Sequence, residues 1–213
     1  MKPIKSLLVF AFLLAPGVAA AQGYYGGSGP GYYSQPPAPA LPGGFHNRMG
    51  RLAVGGSIGL GGMHDSGSNV TNCTNCDYNP IAVELDGHIG GFLTPRFALM
   101  AEGQINAQTV QSDLYDDTTL SMNALMIAGQ YWVTPQLWIK GGLGFANLQV
   151  EDTFYGPVTR PENGTALMGA IGYELLSARH LSIDLQGRLL NGAYKGIDDH
   201  ITAASIGIGI NWF

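Results

Sequence analysis

Of the 213 residues, 12% are charged and 32 are glycines, whereas a soluble globular domain carries about 25% charged residues. No apolar run reaches the roughly 18 residues that a membrane-spanning helix needs. An ordinary soluble enzyme domain and a helical membrane protein are both excluded, so the apolar residues must be used in alternation.

The chain opens with Lys2 and Lys5, an apolar stretch from Leu7 to Ala15 and a small-residue end, Val18-Ala19-Ala20-Ala21. This three-part order predicts a secretory signal peptide over residues 1–21, with the mature chain starting near Gln22. Loss of the two leader lysines leaves eight basic against fifteen acidic residues, a net charge of -7. Such a balance offers no basic surface to nucleic acid. Residues 22–49 are rich in Gly, Tyr, Pro, Ser and Ala, with paired tyrosines at Tyr24-Tyr25 and Tyr32-Tyr33. That composition cannot bury enough surface to fold alone and predicts a disordered tail.

From Gly50 onward the hydrophobic period is two. Leu52, Val54, Ile58 and Leu60 alternate with Ala53, Gly55, Ser57 and Gly59, the pattern of a strand with unlike faces. It recurs with Ile81, Val83, Leu85, Ile89 and Leu93 against Ala82, Glu84, Asp86, His88 and Gly90, and again from Phe97 to Asn106. Between Leu120 and Val133 both parities hold apolar residues; Leu125, Ile127 and Tyr131 are assigned outward and Gln130 inward. Four more strands follow, starting near Leu137, Leu167, Leu181 and Ile201, the last placing Ile206, Ile208, Ile210 and Trp212 on one side. The total is eight strands.

Connections alternate in length. Thr94-Pro95-Arg96, Thr134-Pro135-Gln136 and Ser177 to His180 are short; Met63 to Pro80, Val110 to Thr119, Gln149 to Asn163 and Asn191 to Ile201 are long and polar. An even number of antiparallel strands with short turns at one end and long loops at the other predicts an all-β fold, an eight-stranded antiparallel transmembrane β-barrel of up-and-down meander topology. The less apolar face supports this over a water-exposed sandwich or propeller. It is mostly Gly, Ala and Ser with a few charges, which suits a lumen so narrow that side chains fill it.

Ten of the fifteen acids fall in the long connections: Asp65, Asp77, Asp113, Asp116, Asp117, Glu151, Asp152, Glu162, Asp198 and Asp199. The other five, Glu84, Asp86, Glu102, Glu174 and Asp184, share the inward parity with Lys140, Arg188 and His88. Together these eight residues are expected to form a lumen ion-pair network. It is short of three positive charges, to be made up by water, His88 or a protonated carboxyl. Arg48, Arg51, Arg96 and Arg179 cluster at the short-turn end. With an even strand count both termini belong on that side, facing the periplasm, and the acidic loops face outward. Cys73 and Cys76 stand in an Asn- and Ser-rich loop and are expected to form a small disulfide there, since exported chains meet an oxidising compartment.

These features, together with the ending Gly209-Ile210-Asn211-Trp212-Phe213, make residues 50–213 resemble the small eight-stranded Gram-negative outer-membrane barrels of the OmpA-like and OmpX-like group. The resemblance implies residence in the outer membrane, contact with its lipid and lipopolysaccharide, a monomer, and delivery by the barrel-assembly machinery through a terminal aromatic signal at Trp212 and Phe213. One departure stands out: the apolar parity falls on Trp212, so Phe213 is out of step with Ile206, Ile208 and Ile210.

The function expected from this reading is a non-enzymatic scaffold presenting acidic extracellular loops for adhesion or surface interaction. A narrow, porin-like pore for small or apolar solutes is the alternative, and a lipid-modifying enzyme a second. The nearest approach to a catalytic set is His200 beside Asp198 and Asp199, with Ser205 further down the strand. That is the composition of an ordinary polar loop, so no catalytic residue, cofactor or metal is assigned. Asp116 and Asp117 could share divalent cations with phosphorylated lipid, since such ions favour oxygen ligands.

Overall fold

The computed structural model describes residues 47–65, 68–69, 81–110, 118–152, 162–178, 180–194 and 200–213. The signal peptide, the tail as far as residue 46, Cys73 and Cys76, and Asp116 and Asp117 lie outside the described residues. The strands are β1 (Leu52–Asp65), β2 (Ser68–Asn69), β3 (Ala82–Thr94), β4 (Phe97–Val110), β5 (Thr118–Trp132), β6 (Leu137–Asp152), β7 (Glu162–Ser177), β8 (Leu181–Tyr194) and β9 (His200–Trp212). β2 is a two-residue return onto the end of β1, pairing His64 with Asn69. The other eight strands form the wall.

Each long strand pairs antiparallel with the next, and β9 returns to β1 from Val54↔Trp212 to Asp65↔Ile201. The ladder therefore closes on itself. Closure satisfies every wall strand on both sides and removes the exposed edge that an open sheet would leave.

Apolar side chains point out of this wall. Leu143, Phe145, Ile206 and Leu125 are each more than 60% exposed, while Glu84, Glu102, Glu174 and Asp184 are almost wholly buried. Water could not hold such an arrangement; a hydrocarbon surround makes it favourable, because the apolar belt then faces lipid. On β5, Leu125, Ile127 and Tyr131 face outward and Gln130 inward, which resolves the one strand whose parities were mixed.

The three short turns lie at one end. In two of them a threonine hydroxyl accepts the backbone amides that follow: Arg96 N at 3.3 Å from Thr94 Oγ1, and Leu137 N at 2.9 Å from Thr134 Oγ1. The intervening Pro95 and Pro135 have no amide to offer, which makes Thr-Pro an economical turn. Register shifts occur between Phe92 and Thr94 and between Glu174 and Leu176. The second explains why Leu175 and Leu176 are consecutive and both exposed, since a bulge places an extra residue on one face.

The strands run further than the apolar alternation does. Asp65 lies in β1, Glu151 and Asp152 in β6, and Glu162 in β7, so four acids assigned to long loops sit on strand ends instead. Above the belt the outward positions are polar, as at Asn123, Asn147 and Asn163, which are successive ladder neighbours. Backbone hydrogen bonding continues where the hydrophobic signal has ended.

Candidate functional site

The lumen is filled in three layers. The middle layer is ionic and is organised by Arg188 on β8. Its Nη2 lies 2.8 Å from Asp86 Oδ2 and its Nε 3.3 Å from Glu84 Oε1, while Nη1 donates to Glu102 Oε1. Lys140 Nζ reaches the other Glu102 oxygen at 3.1 Å. Ser57 and Ser205 donate their hydroxyls to Asp86 and Glu84, and His88 Nδ1 lies 3.3 Å from Asp86 Oδ1. The seven residues other than Arg188 come from β1, β3, β4, β6 and β9, so the cluster ties together most of the circumference. Glycines make room for it: a Cβ at Gly55 would fall 2.7 Å from His88 Nε2, and one at Gly59 3.1 Å from Glu84 Oε2.

Toward the long-loop end the filling becomes largely apolar, interrupted by buried Asn106 and by Gln108, whose Oε1 accepts from Met63 N at 2.9 Å. Met63, Met122 and Leu190 are fully buried there, with Leu148, Tyr194 and Ile201 nearly so. Toward the short-turn end lies an aromatic and ionic floor. Arg48, which precedes β1, turns into the barrel and donates from Nη1 and Nη2 to the two oxygens of Glu174, at 2.9 and 3.0 Å. Trp132 Nε1 donates to Glu174 Oε1 at 2.7 Å.

Asp184 accepts from Asn211 Nδ2 at 2.6 Å and has no ion pair among the described residues. Of the eight residues singled out from sequence, six therefore contact one another in the middle layer, while Glu174 and Asp184 belong to the floor with other partners. Arg48 was expected in the disordered tail over residues 22–49, yet it is 3% exposed and inside the barrel. It supplies one of the three positive charges counted as missing. Periodicity could not find it, because Arg48 is not on a strand.

Phe213 belongs to the floor as well. It is 8% exposed, whereas neighbouring Trp212 is 62% exposed on the belt. Its mismatch with the isoleucine parity is thus the inward step of an alternation, continued one residue past the end of β9. His200 and Ser205 do not meet: His200 is exposed, and Ser205 turns inward to Glu84.

Among solved structures, the chain is similar to Ail, the attachment invasion locus protein of Yersinia pestis, in complex with the heparin analogue sucrose octasulfate. The TM-score is 0.53 at 12% identity, over 75% of this chain and 98% of that one. The fold is that of the small outer-membrane β-barrels. Ail without that ligand matches with a TM-score of 0.50 at 12% identity, over 75% of this chain and 97% of its own. OprG of Pseudomonas aeruginosa matches with a TM-score of 0.43 at 11% identity, over 78% and 97%. No protein-family model and no curated protein matches the sequence. What this barrel has in common with Ail is its fold; the three-layered filling is described from its own residues.

Proposed function

We propose that this chain is a non-enzymatic protein of a Gram-negative outer membrane, a closed and rigid barrel that presents its long acidic loops at the cell surface. Both termini face the periplasm, and the barrel works as a monomer surrounded by phospholipid and lipopolysaccharide after insertion by the assembly machinery. The observation that carries this reading is the filled lumen. An eight-stranded barrel encloses only enough space for side chains, and here ionic, apolar and aromatic layers occupy it in series. Such a wall is a support for loops rather than a conduit.

The sulfated sugar bound to Ail is a poor guide to the ligand here. The acidic residues at 113, 116, 117, 198 and 199 lie in the long-loop connections and would repel a polyanion over roughly a Debye length, about 8 Å at physiological salt. A neutral or cationic surface partner, or divalent ions shared with lipid phosphates, suits them better. Heat-modifiable gel mobility of the protein in isolated outer membranes, followed by protease treatment of whole cells, tests the reading. The expected result is a compact unheated band, with cleavage confined to the long loops. Recovery in the soluble or inner-membrane fraction, or cleavage at the short turns of intact cells, would overturn it.

A further inference from the structure

The floor of the barrel has the construction of a receptor. Phe92, Trp132 and Phe213 pack on one another, with Phe92–Trp132 centroids 5.1 Å apart and both Phe213 contacts edge-on at 79°. Their rings enclose the Arg48 guanidinium, whose Cζ lies 4.0 Å from the Phe213 centroid and 5.3 Å from that of Trp132. Glu174, 1% exposed, completes the enclosure and grips the guanidinium with both oxygens. Ser177 Oγ accepts a further hydrogen bond from Nη2 at 3.2 Å. Aromatic faces and a carboxylate that accepts in a fork are the two chemistries suited to a planar guanidinium.

The receptor is held without help from its occupant. Phe92, Trp132 and Glu174 are strand residues, Trp132 fixes the carboxylate, and Phe213 is pinned by its amide to His180 O at 2.9 Å. The two register shifts among the described residues fall beside Phe92 and Glu174, in keeping with the use of bulges to aim side chains at a site. The occupant is held differently. Lys140 and Arg188 are carried by strands laddered on both sides, but Arg48 sits in a turn before β1, secured by Arg51 N to Arg48 O and Gly50 N to Phe92 O, each at 3.0 Å. Gly50 has a φ of 74° there, a conformation that glycine adopts without strain.

We infer that the short-turn mouth is a guanidinium-binding site filled in cis by Arg48, and that another guanidinium group, such as an arginine side chain, can take the cage when Arg48 leaves it. Arg48 is then a detachable stopper, and a strand-borne cation is not.

Full-length Arg48→Ala and Arg48→Lys variants, refolded into phospholipid vesicles, test this by the temperature at which the compact gel band is lost. Arg48→Ala should lose the band at the lowest temperature, with Arg48→Lys between it and the native chain because an ammonium cannot make the fork. Methylguanidinium at millimolar concentration should raise the transition of Arg48→Ala toward the native value and leave the native chain unchanged. Methylammonium at equal concentration should not, and Glu174→Gln combined with Arg48→Ala should abolish the rescue. Should Arg48→Ala fail to fold, methylguanidinium added during refolding is expected to restore the yield. The inference is overturned if Arg48→Ala or Arg48→Lys behaves like the native chain, or if methylguanidinium rescues no better than methylammonium.

Discussion

Arg188 on β8 and Glu102 on β4 meet across the full diameter of the barrel, since four pairings separate their strands in either direction around the wall. A contact of that span links two strands that share no backbone hydrogen bond. Lys140 approaches the same carboxylate from β6 at 3.1 Å, so Glu102 balances two cations at once.

Removing one member of this layer leaves its partners buried and uncompensated, which costs about 3–5 kcal/mol. Arg188→Met should therefore destabilise the barrel by at least that amount, and Glu102→Gln by somewhat less because Arg188 keeps Glu84 and Asp86. Asp184→Asn should change stability by less than about 1 kcal/mol. It retains an acceptor for Asn211 and removes a buried charge with no ion-pair partner among the described residues. Urea midpoints measured in vesicles check all three, and the prediction fails if Asp184→Asn costs as much as Arg188→Met.

Layers arranged in series make a distinct prediction for transport. The native chain should show no steady conductance in planar bilayers. Arg188→Ser should show none either, because Met63, Met122 and Leu190 still fill the lumen above it. Current is expected only when an ionic and an apolar layer are opened together, as in Arg188→Ser with Leu190→Gly.

Two positions on one face of β7 separate the belt from the region above it. Ile171 is exposed among other apolar residues, and Asn163 is exposed beside Asn147. Arginine at Ile171 should cost about 2–4 kcal/mol and arginine at Asn163 about 0–1 kcal/mol, the difference between the bilayer centre and its interface. Equal costs at the two sites would place the bilayer elsewhere.

Trp138 lies over Gly172, its ladder partner on β7. A Cβ at Gly172 would fall 2.1 Å from the indole, so Gly172→Ala should lower stability by about 1–3 kcal/mol through overpacking. Trp138→Leu in the same chain should recover part of the loss. The recovery would appear as a coupling energy in a double-mutant cycle.

The wall of the barrel was legible because a period of two needs only local information. Leu85, Ile139 and Ile206 announce the outward face wherever the strand is placed, and the Thr-Pro turns announce one end. Inward charges such as Glu84 and Lys140 were legible for the same reason. Strand ends were less so, as at Glu151 and Glu162, where the outward apolar series has stopped while the ladder continues.

Local pattern determined the strand count, the inside and outside of each strand, and the sign of the charge trapped within, because alternation is a property of neighbours in sequence. Tertiary structure alone decided which carboxylate each cation would serve. Arg188 finds Glu102 at a separation of 86 residues, and Arg48 finds Glu174 at 126. Such pairs exist only after closure brings distant strands to one axis, when an unpaired charge in a narrow lumen becomes too costly to leave alone.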